Sequence, residues 1–306
     1  MIGAVDIGGT KLAVGLVNES GKVLAKREAA TGVESTYSAG LENIVNMLRE
    51  MAKSSGTEIT GIGIGSTGPL DPLTGELGEV DFLPHWRRQN PVQDLAKLFG
   101  VNVALENDAD AGALAETAWG AGRNKSRLIY ITVGTGIGGG IILDGKLYRG
   151  VGGAHPELGH QVIDLSGPAC SCGYNGCWEA LAAGPAMSVW AQSQSSANDA
   201  YRTAEQICRM AREGDQLARR AVERESFYLG LGAANLINLF TPDIIVLAGS
   251  LMKSAPLFLD EIRHTIGRGC RFVPHEKTEI ALASLGDDAN LIGAARVWHH
   301  RFGAEG

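Results

Sequence analysis

Apolar positions along the chain follow two rhythms, one of period two and one of helical period. Residues 2–5 form an apolar run that ends in DIGGTK, followed by the alternating Leu12, Val14 and Leu16, a polar turn at 18–21 and a further strand pattern over 23–27. The first glycines therefore lie between two strands, which argues against both the dinucleotide fingerprint and the Walker loop, whose glycines open a helix. Apolar residues at 41, 44, 45, 48 and 51 mark one face of a first helix within 41–53. A glycine-interleaved buried strand is predicted over 59–66, a second helix over 91–99, a short strand over 101–105 and an alanine-rich helix over 109–119. Residues 128–143, LIYITVGTGIGGGIIL, again read as strand, glycine turn, strand. Beyond them 183–239 is mainly helical, including 204–212 and 218–239. Residues 244–247 form another buried strand, and a last helix runs from 289 to about 299.

The second glycine hairpin echoes the first at about one domain's length, so two related domains closing on one nucleotide are expected. They are placed at 1–108, a small α/β domain, and 109–288, a larger one, with a C-terminal helix at about 289–306 packing back on the first. A chain of 306 residues fits two cores. The formal net charge of −7, without a basic block, disfavours a nucleic-acid or anionic-membrane partner. There is no stretch of membrane-spanning length and no signal-type start, so a soluble, cytoplasmic protein is expected.

Candidate chemistry falls at the strand ends. A tight Gly-Gly-Thr turn presents backbone N–H groups and a hydroxyl to phosphate oxygens, and Asp6 can hold Mg²⁺ directly or through water; a plain hairpin turn is the alternative. Glu106-Asn107-Asp108 is delivered at a strand's carboxyl end, where open α/β sheets bind ligands, although Asp108 or Asp110 could simply cap the next helix. Thr67-Gly68-Pro69 turns out of another strand, where small residues admit a ligand to the backbone. His160, Cys170, Cys172 and Cys177 have the residue types and spacing of a closed tetrahedral zinc site, with Gly167, Gly173 and Gly176 supplying its turns. Three buried thiols or a disulfide pair are the alternative. Glu157 and Glu179 flank this knuckle and would be left free to meet ligand hydroxyls.

Six motifs in order, DIGGTK (6–11), END (106–108), GTGIGGG (134–140), ELGH (157–160), CSCGYNGCWE (170–179) and LAGS (247–250), resemble those of the bacterial ROK sugar kinases, close to glucokinases, across nearly the whole chain. The resemblance implies an α/β, actin-like, hexokinase-type (ribonuclease H-like) ATPase fold, with two related domains around a cleft. It implies an ATP-dependent hexose kinase acting on a 6-hydroxyl, glucose first, with Asp108 as catalytic base. Gly68, Asn107, Asp108, Glu157, His160 and Glu179 would contact the sugar. Asp6, Gly8, Gly9, Thr10, Lys11, Gly134, Thr135, Gly136 and Gly249 would hold ATP and its phosphates. A structural zinc on His160, Cys170, Cys172 and Cys177, Mg²⁺ with ATP, and a homodimer or homotetramer are implied as well. His155-Pro156 stands where the family's glucokinases carry Ala-Gly and resembles its fructokinase and mannokinase branch, so fructokinase, mannokinase and N-acetylmannosamine kinase are the related alternatives. A non-catalytic sugar-binding regulator is the alternative of another class. The family's repressors carry an N-terminal helix-turn-helix, whereas here a strand is expected from residue 2.

Overall fold

The computed structural model describes residues 1–31, 34–80, 83–196 and 201–303. In chain order, β1 (Ile2–Ile7), β2 (Lys11–Val17), β3 (Val23–Ala30), α1 (Tyr37–Ser55), β4 (Gly61–Ser66), the short pair β5 (Leu70–Asp71) and β6 (Glu76–Leu77), α2 (Pro91–Phe99), β7 (Asn102–Asn107) and α3 (Asp108–Trp119) come first. Next are β8 (Leu128–Val133), β9 (Ile137–Leu143), β10 (Lys146–Leu147), α4 (Trp178–Ala182), α5 (Gly184–Ser193), α6 (Ala204–Glu213) and α7 (Gln216–Phe240). Last come β11 (Ile244–Ala248), α8 (Leu259–Gly269), β12 (Glu279–Leu282) and α9 (Ala289–Phe302). The chain divides into two compact units. Unit 1 comprises Met1–Asn124, Lys146–His155 and Ser284–Gly306, and unit 2 comprises Lys125–Gly145 and Pro156–Ala283.

Unit 1 is built on the sheet order β3-β2-β1-β4-β7. β1 and β2 form the expected antiparallel hairpin, and β1, β4 and β7 run parallel. Where the sequence places a boundary after residue 108, the division falls after Asn124, because α3 packs on α9 and stays with unit 1. Alanines and glycines make that approach possible: Ala111, Ala113 and Ala115 of α3 are buried, as are Gly293, Ala294 and Ala295 of α9. The final helix lies on β4 and β1; residues 304–306 of its expected span lie outside the described residues. The glycines of β4 have a packing cause. A Cβ on Gly63 would stand 1.8 Å from the Ala294 carbonyl oxygen, and one on Gly61 would meet the Trp298 indole at 2.1 Å. They are empty so that α9 can sit on the strand. On the other face Ile62 and Ile64 are fully buried beside Ile44 and Leu48 of α1.

Unit 2 repeats the arrangement. Its sheet contains the order β9-β8-β11-β12, with β8 and β9 antiparallel and β8, β11 and β12 parallel. Its helices match the expected helical stretch, α6 beginning in a capping box between Thr203 and Gln206. Trp178 at the start of α4 is buried, and its indole N–H donates to the Tyr228 carbonyl at 2.8 Å, fixing α4 on α7. No described helix is long and apolar enough to cross a membrane.

Candidate active site

The expected site residues fall in both units. In unit 1, β1 ends at Ile7 and the chain turns through Gly8, Gly9 and Thr10 into β2. The turn is closed by the Gly8 N–H donating to the Lys11 carbonyl at 3.0 Å, and Thr31 braces it by donating its hydroxyl to the Gly8 carbonyl at 2.8 Å. Thr10 is exposed at the tip. Lys11 is also exposed, but its ammonium is engaged by Glu28 at 2.9 Å. Asp6 is buried and accepts a bond at 3.0 Å from the Asn290 side-chain amide of α9. Burial, with the nearby Asp108 charge assisting and Asn290 opposing, pushes its carboxyl up to about 6.

β7 runs to Asn107, two residues past the strand end expected at 105, and so carries the first two residues of the END triplet. Asn107 closes the strand and caps α3, its Oδ1 accepting from the Ala109 N–H at 2.9 Å. Asp108 Oδ1 accepts from the same N–H at 2.8 Å, and Oδ2 accepts from the Thr67 hydroxyl at 3.3 Å. Burial raises the Asp108 carboxyl, while these two bonds pull it down. Asn107 also borders Gly68, where an added Cβ would lie 3.5 Å from Asn107 Nδ2. Gly68, Asn107 and Asp108 are thus assembled where the 66–69 turn meets the start of α3. Asp110 does not cap the helix: it is fully buried and pairs with His155 Nδ1 at 2.9 Å.

In unit 2 the β8–β9 turn carries Gly134, Thr135 and Gly136, with the Gly134 N–H donating to the Gly136 carbonyl at 2.9 Å and the Gly184 N–H to the Gly134 carbonyl at 2.9 Å. Thr135 is exposed. Glu179, in the first turn of α4, accepts from the Ile137 N–H at 2.9 Å, so this carboxylate lies directly against the hairpin. Gly249 follows β11 with φ +93°, and a Cβ there would stand 2.2 Å from the Val133 carbonyl oxygen, which only glycine avoids. A cavity of about 640 Å³ opens beside Gly134 and Thr135, lined also by Ser188, Thr203, Arg212 and Ser250. The sequence reading found its glycine floor but missed its α5 and α6 wall.

Glu157 is exposed, and the turn after it, Leu158–His160, brings His160 to the knuckle. His160, Cys170, Cys172 and Cys177 present one ligand atom each, all within 4.8 Å of one another. His160 Nδ1 is 3.5 Å from Cys170 Sγ, and Cys172 Sγ is 3.5 Å from Cys177 Sγ. Tetrahedral zinc with Zn–S near 2.3 Å needs ligand–ligand edges of about 3.8 Å, so the cluster fits a closed structural zinc. The five cysteines are all free thiols, which leaves the expected alternative of a disulfide unfulfilled. Gly176 is required by the fold of the knuckle, since a Cβ would fall 1.6 Å from the Asp164 carbonyl oxygen. Sequence reasoning missed Asn290, Arg149 and Glu116, which no local pattern marks, and read Asp110 only as a possible cap.

Two units, each opening its sheet with an antiparallel glycine hairpin and continuing in parallel strands, define the actin-like, hexokinase-type α/β ATPase fold. The chain belongs to the ROK family, whose sequence profile matches residues 2–301. The glucokinase of Thermotoga maritima is 32% identical over 98% of this chain and 97% of its own length. A ROK family glucokinase from Streptomyces griseus, solved in complex with glucose and AMPPNP, matches at a TM-score of 0.79 and 32% identity, over 96% of this chain and 97% of that one. The xylose repressor of Bacillus subtilis is 33% identical over 78% of this chain and 61% of its own length.

Proposed function

We propose that this protein is an ATP-dependent hexose kinase that transfers the γ-phosphoryl group to the 6-hydroxyl of a sugar, with glucose as its main substrate. The observation that carries the reading is Asp108, a partly buried carboxylate fixed by Thr67 and the Ala109 N–H beside Asn107 and Gly68. Phosphoryl transfer asks the protein for positioning and charge stabilisation. Asp108 accepts the proton of the attacking hydroxyl, while Gly68, Asn107, Glu157, His160 and Glu179 hold the other hydroxyls. Pairing them matters because a buried polar group left unpaired costs about 1–3 kcal/mol, enough to discriminate epimers.

The backbone donors of Gly8, Gly9 and Thr10, and of Gly134, Thr135 and Gly136, hold phosphates, with Gly249 keeping the chain close to the nucleotide. Lys11, engaged by Glu28, contributes its backbone rather than its ammonium. Mg²⁺ bound with ATP neutralises phosphate charge, and Asp6 is the carboxylate suited to it. His160, Cys170, Cys172 and Cys177 would hold a structural zinc, which would fix the loop that carries Glu157, His160 and Glu179. His160 faces Cys170 with Nδ1, which leaves Nε2 for a sugar hydroxyl. A cytoplasmic homodimer or homotetramer accompanies this reading, and light scattering reads the assembly directly.

A second reading, a fructokinase, mannokinase or N-acetylmannosamine kinase, is favoured by His155-Pro156 ahead of Glu157. ADP release measured with glucose, mannose, fructose, N-acetylmannosamine and N-acetylglucosamine decides between them. The highest kcat/KM is expected with glucose. Binding of a sugar without ADP release from any member of the panel would instead make the protein a sugar-binding regulator, a reading in line with its similarity to a xylose repressor.

A further inference from the structure

His155 has no task in the chemistry above, yet its ring is committed to a buried charge. Its Nδ1 lies 2.9 Å from Oδ2 of Asp110, a fully buried carboxylate in the first turn of α3, two residues after Asp108. An ionised carboxylate out of water is costly unless a cation meets it. Arg149 is the other cation at hand, but it is bound to Glu106, itself buried on β7, and its nearest nitrogen is 3.9 Å from Asp110. From α9, Arg301 acts on Glu106, and burial together with Arg149, Arg296 and Arg301 pushes the His300 imidazole down, against the pull of Asp110. Arg149 is therefore shared and lies nearer Glu106, and His155 is the nearer partner of Asp110, a cation there when the imidazole carries its proton.

This balance bears on the base. We propose that His155 is a positioning residue for Asp108: protonated and paired with Asp110, it cancels the buried charge beside the base and so keeps the Asp108 carboxylate ionised and turned toward Thr67. Burial and the Asp110 charge both push the Asp108 carboxyl up, and the His155 charge works against them alongside the bonds from Ala109 and Thr67. On the β1 side, Asp6 is a further anion facing Asp108 and gives no relief. The proposal rests on the kinase reading, in which Asp108 must be ionised to take the proton.

The test is the pH profile of kcat at saturating hexose and ATP for the parent, H155Q and H155Q/D110N. Glutamine keeps a donor for Asp110 without the charge. In H155Q the acidic limb is expected to move up by about one pH unit, as for loss of a nearby opposite charge, with kcat recovering at alkaline pH and hexose KM unchanged. In H155Q/D110N, where both charges are gone, the limb returns to the parent's position. A limb that stays in place in H155Q, or a kcat lowered by one factor at every pH, overturns the proposal. If H155Q does not fold, the double variant decides: a parental limb supports the proposal and a raised limb overturns it. A parent that phosphorylates no hexose would overturn the kinase reading, whereas an active parent whose limb ignores His155 overturns this inference alone.

Discussion

At Gly136 the absence of a side chain lets a proposed sugar ligand, Glu179, lie against the proposed phosphate turn. The sequence reads this glycine as room for a phosphate to approach the backbone. In the folded chain an added Cβ would stand 2.3 Å from Glu179 Oε2, whose carboxylate also holds the Ile137 N–H. The obstructing atom is the end of a flexible side chain, so Gly136→Ala leaves the fold intact and displaces Glu179. Hexose KM is expected to rise about tenfold, the loss of roughly 1.4 kcal/mol of binding, and at least as much as ATP KM. A rise confined to ATP would show that the glycine serves phosphate alone. Asp6 and Asp108 form a second coupling at this scale, since each raises the cost of ionising the other.

Elements are held in place here by single buried acids as much as by apolar faces. Glu116, buried near the end of α3, accepts from the Ala121 N–H at 2.7 Å, the Ser284 N–H at 2.9 Å, the Leu285 N–H at 3.2 Å and the Ser284 hydroxyl at 3.3 Å. It ties the exit of α3 to the segment that leads into α9. In Glu116→Gln one oxygen becomes a donor facing another donor, and the expected cost is about 1–3 kcal/mol, read as a lower urea midpoint with kcat little changed. An unaltered midpoint would mean that the contact carries no stability. Such ties explain what was legible in the sequence. Local signals stood out: Asn90 and Pro91 open α2 and Gly100 ends it over the residues expected, and the glycine hairpins and the metal ligands lie in compact motifs. Asp110 with His155, Glu116 with Ser284, and Asp6 with Asn290 join positions 45, 168 and 284 residues apart, respectively. Nothing in the local pattern at either end announces its partner. The glycine-interleaved strand itself was legible, but the cause of its glycines is α9, far along the chain.

On the scale of the whole molecule, the fold repeats one sheet plan twice, and the proposed site residues are divided between the two copies. Unit 1 carries Asp6, the first hairpin and Asp108; unit 2 carries the second hairpin, Glu157, Glu179 and the metal knuckle. The knuckle lies in the unit that holds three of the proposed sugar ligands, His160 being both one of them and a metal ligand. Cys172→Ser is expected to lose about one zinc per chain and to weaken hexose binding about tenfold or more, while nucleotide binding at the hairpins persists. Unchanged hexose affinity in the metal-free variant would remove the zinc from the account of substrate binding. The central claim, that Asp108 is the base in phosphoryl transfer to a hexose, is tested most directly by phosphorus NMR of ATP and glucose incubated with the parent and with Asp108→Asn. The parent is expected to yield the 6-phosphate, and the variant to bind glucose as the parent does with kcat lower by about 10²–10⁴-fold. Near-parental turnover by folded Asp108→Asn, or a parent that forms no sugar phosphate, would contradict it.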